Sequence, residues 1–232
     1  MTRQVSLAPG PLARALHLSA RYGVLYVNNP KVACSTIKLS LQRAERGDPS
    51  FTPKPSVHSH SASPLLTFAD FDPPDQALST ALAKTPFVFS FVRNPFSRLI
   101  SAYLNKIVTG QKQGRFREEA GFDARTCPTL DDFVAAVCSQ DPLAQNPHWR
   151  VQGYNLSWDR IAYDFIGRLE NFDMDWAAFT ERMGLPPDIH RAGRRTSHQT
   201  VDLPTLSATS AEAIRRCFAF DFVTFGYPLD LP

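Results

Sequence analysis

The chain has 232 residues, 43% of them hydrophobic, which is enough to bury a proper core. Its formal net charge of +3 is too small to suggest a general nucleic-acid or membrane-surface binder. The N-terminal stretch lacks an apolar signal core, and no run approaches the roughly 20 apolar residues that span a bilayer, so a soluble, non-secreted protein is expected.

In chain order, residues 12–18 read as a short helix. Gly23-Val-Leu-Tyr-Val27 is an apolar run bounded by Gly and by Asn-Asn-Pro, which suits a buried parallel strand. Ile37, Leu41 and Ala44 then fall at i, i+4 and i+7, giving a helix that Gly47 and Pro49 end. Residues 48–64 turn to Pro, Ser and His and read as a loop carrying the pair His58-Ser-His60. Residues 72–84 read as a helix. A second strand, Phe87-Val-Phe-Ser-Phe-Val92, runs into Arg93-Asn-Pro-Phe-Ser-Arg98 and a helix with Leu99, Ile100, Tyr103, Leu104 and Ile107 on one face. Asn94 suits the cap of that helix and Pro95 its first turn.

Residues 109–127 are polar and basic and predict a mobile surface segment. A short helix capped near Thr129 covers 130–138, and 141–158 read as irregular. Ile161 to Ile166 is a third strand candidate, followed by a helix over 174–183. Residues 190–200 form a basic, hydroxyl-rich loop. Thr209-Ser-Ala-Glu212 has the spacing of a capping box, opening a helix to about residue 220 before an aromatic tail over 222–227. Strands joined by helices at these distances imply an α/β fold with a mainly parallel sheet flanked by helices, as a single domain over 1–232. Cys34, Cys127, Cys138 and Cys217 show no C-x-x-C pair and no metal-ligand spacing. They read as reduced thiols, with a Cys127–Cys138 bridge the less favoured alternative.

Ligands of such sheets sit beyond the carboxyl ends of strands, where two basic turns fall. At the first, Lys31 supplies a cation, and Cys34, Ser35 and Thr36 open a helix whose unpaired N–H groups favour an anion. Taken alone, this turn is equally a capped helix beside a solvated Lys. It is not a Walker A loop, because G-x-x-x-x-G-K-[ST] is absent. At the second, Arg93 ends a strand and Ser101 lies two helical turns on, a pair suited to another phosphate. A surface salt bridge is the plainer role for Arg93 and Arg98. Two anion sites imply a ligand with two separated phosphates.

Pro30-Lys-Val-Ala-Cys-Ser-Thr36 followed by Phe91-Val-Arg-Asn-Pro-Phe-Ser-Arg-Leu-Ile-Ser-Ala-Tyr103 resembles the cofactor motifs of the carbohydrate sulfotransferases. The branch is that of the HNK-1 and chondroitin 4-O-sulfotransferases, with the heparan sulfate 2-O-sulfotransferases as relatives. Asn146-Pro-His-Trp149, Tyr163-Asp-Phe-Ile-Gly-Arg-Leu-Glu170 and Asp221-Phe-Val-Thr-Phe-Gly-Tyr227 extend the resemblance over about 23–227.

The resemblance implies a P-loop-like three-layer fold that binds 3′-phosphoadenosine 5′-phosphosulfate and needs no metal. Lys31, Ala33, Cys34, Ser35 and Thr36 would hold its 5′-phosphosulfate, and Arg93 and Ser101 its 3′-phosphate. Arg195 would belong, with Arg194, Thr196 and Ser197, to a loop that closes over the cofactor. Two histidines stand out toward the acceptor: His60, the second of the His-x-His pair, as base, and His148 of the His-Trp element, as base or acceptor contact. His17, His190 and His198 read as surface residues. Trp149 and Trp158 suit either sugar stacking or buried packing.

The acceptor implied is a hydroxyl, on a glycan, glycolipid or glycosylated metabolite. The eukaryotic relatives are Golgi type II membrane proteins, whereas this sequence shows no anchor, so a compact bacterial version in the cytoplasm is expected. A P-loop kinase or nucleotide hydrolase is the competing reading, distinguished by a need for ATP and Mg²⁺. A catalytically silent nucleotide- or glycan-binding module is another.

Overall fold

Strand and helix alternate along most of the chain in the computed structural model, which describes residues 12, 14–61, 63–67, 86–110, 112–187 and 205–231. The described elements begin with β1 (Leu16–Ser19), β2 (Val24–Val27), α1 (Cys34–Arg46), β3 (Leu66–Thr67) and β4 (Phe87–Val92). Helix α2 (Pro95–Ala102) runs into a π-helical segment (Tyr103–Val108), then come α3 (Gln113–Ala120), α4 (Leu130–Ser139) and a helical turn (Gln152–Asn155). The rest comprises β5 (Phe165–Arg168), a 3-10 turn (Leu169–Asn171), α5 (Phe172–Met183), α6 (Ala208–Cys217) and α7 (Ala219–Phe225). They fall into two compact units, Met1–Val92 with Tyr154–Gly193, and Arg93–Gly153 with Arg194–Pro232.

The first unit holds a five-stranded sheet in the order β3-β1-β2-β4-β5. The pairs β2–β4 and β4–β5 are parallel, as the apolar runs predict. The other half is antiparallel, because β1 and β2 are joined by a turn of four residues ending at Gly23, far too short for a crossover. Residues 12, 14 and 15 are helical as expected, but the hairpin takes 16–18, where the helix was expected to continue. Leu-His-Leu-Ser is too short for its period to decide, and pairing with β2 decides it.

Val24, Tyr26, Phe89 and Phe91 alternate onto one face, where Ile37, Leu41 and Ala44 of α1 and Trp176 and Phe179 of α5 pack. Leu25, Val27, Val88 and Val92 on the opposite face are buried as well, which is why these strands show no polar alternation. Truncating Phe179 or Trp176 to Ala in such a core costs about 3–5 kcal/mol. Gly167 of β5 sits opposite Phe91, and a Cβ there would lie 2.3 Å from the Phe91 ring, so only glycine allows this pairing. Strand β5 begins four residues later than expected. Arg160 N–H and Ile161 N–H both close turns onto the Ser157 carbonyl, and pairing starts where Asp164 N–H donates to the Val88 carbonyl.

In the second unit, the Asn94 side chain caps α2 by accepting from Phe96 N–H and Ser97 N–H, with Pro95 in the first turn, as expected. Thr129 and Asp132 form a reciprocal capping box on α4. Tyr103, Phe133 and Trp149 make an aromatic core beneath these helices, and Phe96 packs on Phe222. Residues 109–127 are more ordered than their polarity suggests, since α3 lies within them. Only Ala120 of α3 is buried, so no apolar stripe announces it. It is held instead by Arg117, which donates to the carbonyls of Ile107 and Ala124.

Helix α6 starts from Ser207, whose Oγ accepts from Ser210 N–H, two residues before the expected Thr209 cap. The expected aromatic tail is largely α7, closed by left-handed Gly226. All four cysteines are free thiols, so the Cys127–Cys138 bridge is not formed. Among the described residues no helix is long and apolar enough to cross a membrane. The helix expected over 72–84 lies outside the described residues.

Candidate functional site

The first turn is built within the first unit. Buried Asn29 donates to the Phe91 carbonyl at 3.1 Å, and Ser90 Oγ donates to the Val27 carbonyl at 2.7 Å, tying the carboxyl ends of β2 and β4 together. The chain then turns through Lys31 at φ 70° and Ala33 at φ 50°. Left-handed backbone at non-glycine residues costs on the order of 1–3 kcal/mol each, and is kept where the surroundings over-determine it. Ala33 stands at the N-cap of α1 and offers no side-chain cap, and the first turn holds no acidic residue. The positive end of a 13-residue helix is therefore left to an anion, with Lys31, Cys34, Ser35 and Thr36 half-buried around it.

Three further side chains complete this turn. Ser35 Oγ lies 3.0 Å from His58 Nε2, and Lys38 Nζ lies 3.5 Å from His58 Nδ1. Lys38 is buried, which pushes its pKa down to about 8, with Cys34 acting in the opposite sense. His17 is buried on β1, contrary to its reading as a surface residue, because Leu16-His-Leu18 pairs with β2 and sets it opposite Tyr26.

Burial first, and then the nearby charges of Lys38, His60 and His58, hold the His17 pKa well below its ordinary 6.5. Neither of its ring nitrogens has a hydrogen-bond partner. The unfolded chain thus binds a proton that the native state refuses. The His17 contribution is intact above pH 6.5 and is lost as pH falls below it, by up to about 1.4 kcal/mol per pH unit. His17→Phe is expected to flatten the acid limb of a stability–pH curve measured by urea denaturation. An unchanged limb would exclude this source.

The second turn is built within the second unit. Arg93 Nε donates to Ser97 Oγ at 2.9 Å, which holds the guanidinium against α2. Ser101 is half-buried one turn further along the same helix. The Arg93 backbone is clamped by Gln152, whose Oε1 accepts from Arg93 N–H at 3.0 Å while its Nε2 donates to the Arg93 carbonyl at 2.8 Å. Asp221, fully buried, in turn accepts from Gln152 N–H at 2.8 Å and Gly153 N–H at 3.0 Å. Burial raises the Asp221 pKa, while these N–H donors and the Arg98 charge oppose the rise. Asp221→Ala strands two buried donors, and a loss of about 2–4 kcal/mol is expected in chemical denaturation.

Arg98 is no surface ion pair. It is buried, and its two terminal nitrogens donate to the carbonyls of Arg150 at 2.7 Å and Pro147 at 3.0 Å. It thereby shapes the segment that carries His148. There His148 Nδ1 lies 2.7 Å from Asn146 Oδ1, while Asn146 Nδ2 donates to Glu119. Glu119 fixes which way the amide points, so its Oδ1 accepts from Nδ1–H of His148. Phe116 stands edge-on to this ring at 5.4 Å, and Lys106 lies over the Phe116 face.

Trp149 is fully buried and donates to Gln140, so it packs the core rather than meeting a sugar. Trp158 is half-buried and stacked on Tyr163. His60 is exposed, its ring 6.1 Å from that of His17. Arg195, with Arg194, Thr196, Ser197, His190 and His198, lies outside the described residues.

The structure therefore gathers Lys31, Ala33, Cys34, Ser35 and Thr36 in one unit, and Arg93 and Ser101 in the other. His58, Lys38, Gln152 and Asp221 are the members that sequence reasoning missed. Of these, His58 had a signal in the His-x-His pair, and Asp221 stood at the head of a motif that carries the resemblance, without a role. The chemistry of both donor sets fits phosphate-like groups: cations, hydroxyls and a helix terminus, with no carboxylate of the first α1 turn facing the anion.

Each turn by itself offers cations and hydroxyls suited to a phosphate-like group on an α/β framework. The chain belongs to the sulfotransferase family, whose model matches residues 14–228. It is 31% identical to carbohydrate sulfotransferase 14 of Danio rerio over 88% of this chain and 60% of that protein. It is 28% identical to carbohydrate sulfotransferase 12 of Xenopus laevis, over 90% of this chain and 59% of the relative. Carbohydrate sulfotransferase 11 of Mus musculus is 26% identical, over 95% and 69%. The chain thus spans about 60% of the length of the first two of these relatives. No solved structure matches it.

Proposed function

We propose that the protein transfers a sulfuryl group from 3′-phosphoadenosine 5′-phosphosulfate to a hydroxyl of a carbohydrate or glycosylated acceptor. The observation that carries this reading is the uncapped start of α1 behind the left-handed Lys31–Ala33 turn, in a chain of the sulfotransferase family. The Lys31 turn would hold the phosphosulfate end, and Arg93 with Ser101 the second phosphate. The bound donor supplies an activated sulfuryl group and a phosphate leaving group.

Lys31 stabilises negative charge as it develops on the leaving oxygen, and the first N–H groups of α1 orient the anion. Relatives named carbohydrate sulfotransferases support a sugar as the acceptor. The acceptor hydroxyl loses its proton to a base, and His148 suits that role because Asn146, oriented by Glu119, holds its ring through Nδ1. His60 remains the competing base, favoured by its His-x-His setting alone.

Incubation with sulfur-labelled donor and a panel of glycans and small glycosides, without added metal, tests the function. Label on any hydroxyl supports it, and metal-dependent ATP cleavage without transfer would sink it. His148→Ala is expected to lose turnover by roughly 10²–10⁴-fold, as removal of a general base does, with donor affinity little changed. The same loss in His60→Ala, with His148→Ala active, would move the role to His60.

A further inference from the structure

We propose that His58, set by Lys38, is a positioning residue that aims the Ser35 hydroxyl at the donor's phosphosulfate. The inference rests on the sulfotransferase reading and adds to it a residue that the cofactor motif does not contain.

Lys38 lies one turn into α1 from the anion-binding end, is buried, and carries an ammonium that can donate hydrogen bonds but not accept them. Its pKa of about 8 leaves it protonated at neutral pH. Nζ sits 3.5 Å from His58 Nδ1, so Nδ1 is the acceptor of that pair. In a neutral imidazole the proton is then on Nε2. Nε2 lies 3.0 Å from Ser35 Oγ and donates to it.

A hydroxyl that accepts through its lone pair directs its own O–H to another atom. Ser35 stands in the first turn of α1, where the unpaired N–H groups gather an anion. The chain Lys38 to His58 to Ser35 therefore turns the hydroxyl into an outward donor of set direction. Without His58, the Ser35 O–H is free to bond back to backbone carbonyls of its own helix, as serines in helices do. Other titratable groups near this cluster include His17 on β1, Tyr26 on β2, Lys31 in the turn, His60 on the same loop and Cys34 on α1. His58 itself is exposed on its loop, and these two hydrogen bonds orient its ring.

The decisive experiment is a double-mutant cycle on full-length protein, reading the Kd for the phosphosulfate donor by calorimetry and the donor KM and kcat by label transfer. His58→Ala and Ser35→Ala are each expected to raise donor Kd and KM roughly tenfold, the scale of one hydrogen bond to a charged group. The double variant should lose no more than either single one, because the two residues act in series. His58→Gln should recover most of the affinity, since its amide N–H can replace Nε2–H.

Additive losses, or a donor Kd unchanged in His58→Ala, would overturn the proposal. A tenfold fall in kcat at unchanged Kd would overturn it too, by making His58 a base instead. If wild-type protein binds and transfers while the His58 variants do so equally well, this inference falls and the sulfotransferase reading stands. If wild-type protein binds no donor at all, both fall.

Discussion

Lys31→Ala is expected to lower turnover by about 10²–10³-fold, the cost of removing one preorganised group from a developing anion. The expectation follows from where the residue stands. β2 ends against β4 through the Asn29 and Ser90 hydrogen bonds, and Lys31 follows at φ 70° in front of an uncapped helix. A cation there meets charge that grows during reaction more than charge already present in the ground state. Affinity for adenosine 3′,5′-bisphosphate should therefore fall much less than kcat. Titration calorimetry with the bisphosphate beside a labelled-transfer assay separates the two quantities. A variant with normal kcat would remove Lys31 from the chemistry and leave it a solvated neighbour of the turn.

Arg98→Ala is expected to cost about 4 kcal/mol and to lower Tm by roughly 10 °C. Both carbonyls that Arg98 serves, those of Arg150 and Pro147, lose a charge-assisted donor, and the space of a fully buried guanidinium is left behind. Arg98→Lys should recover little of this, because one ammonium cannot copy a planar fork onto two carbonyls. Differential scanning calorimetry of both variants checks the first claim. The second is checked by activity at low temperature, where the protein stays folded. There the variant should still show weakened turnover, because the Pro147–Arg150 backbone carries His148. Loss of stability with normal turnover in the cold would show that the segment holds its shape without Arg98.

These two residues also show how unevenly the site could be read. Lys31 stood in a strand–turn–helix pattern whose elements are local, so the turn was visible, and the second basic turn with the family resemblance singled it out. Arg98 sat on a correctly expected helix, yet its partners are carbonyls 49 and 52 residues away in sequence, which no spacing rule connects. The same holds for Asp221, which reaches Gln152 across 69 residues and so supports Arg93. His58 and His60 were visible as a pair. Which of them meets Ser35 depends on how the loop lies over α1, and only His58 reaches the serine hydroxyl while His60 stacks toward His17.

What the sequence by itself determined is the framework: β2, α1, β4, α2, α4 and α5 lie where apolar period, caps and breakers put them. These elements are set by contacts within a few residues, and that information is carried locally. The positions of Lys31, Ser35, Thr36, Arg93 and Ser101 at the two strand-to-helix turns were legible for the same reason, while their roles came from the resemblance. Tertiary structure alone decided that residues 16–19 are a strand, since a four-residue run takes its state from the partner it pairs with. It also decided that 113–120 is a helix, held by Arg117 rather than by an apolar stripe. And it decided which histidine lies against Ser35, a choice made by a hydrogen bond between residues 23 apart.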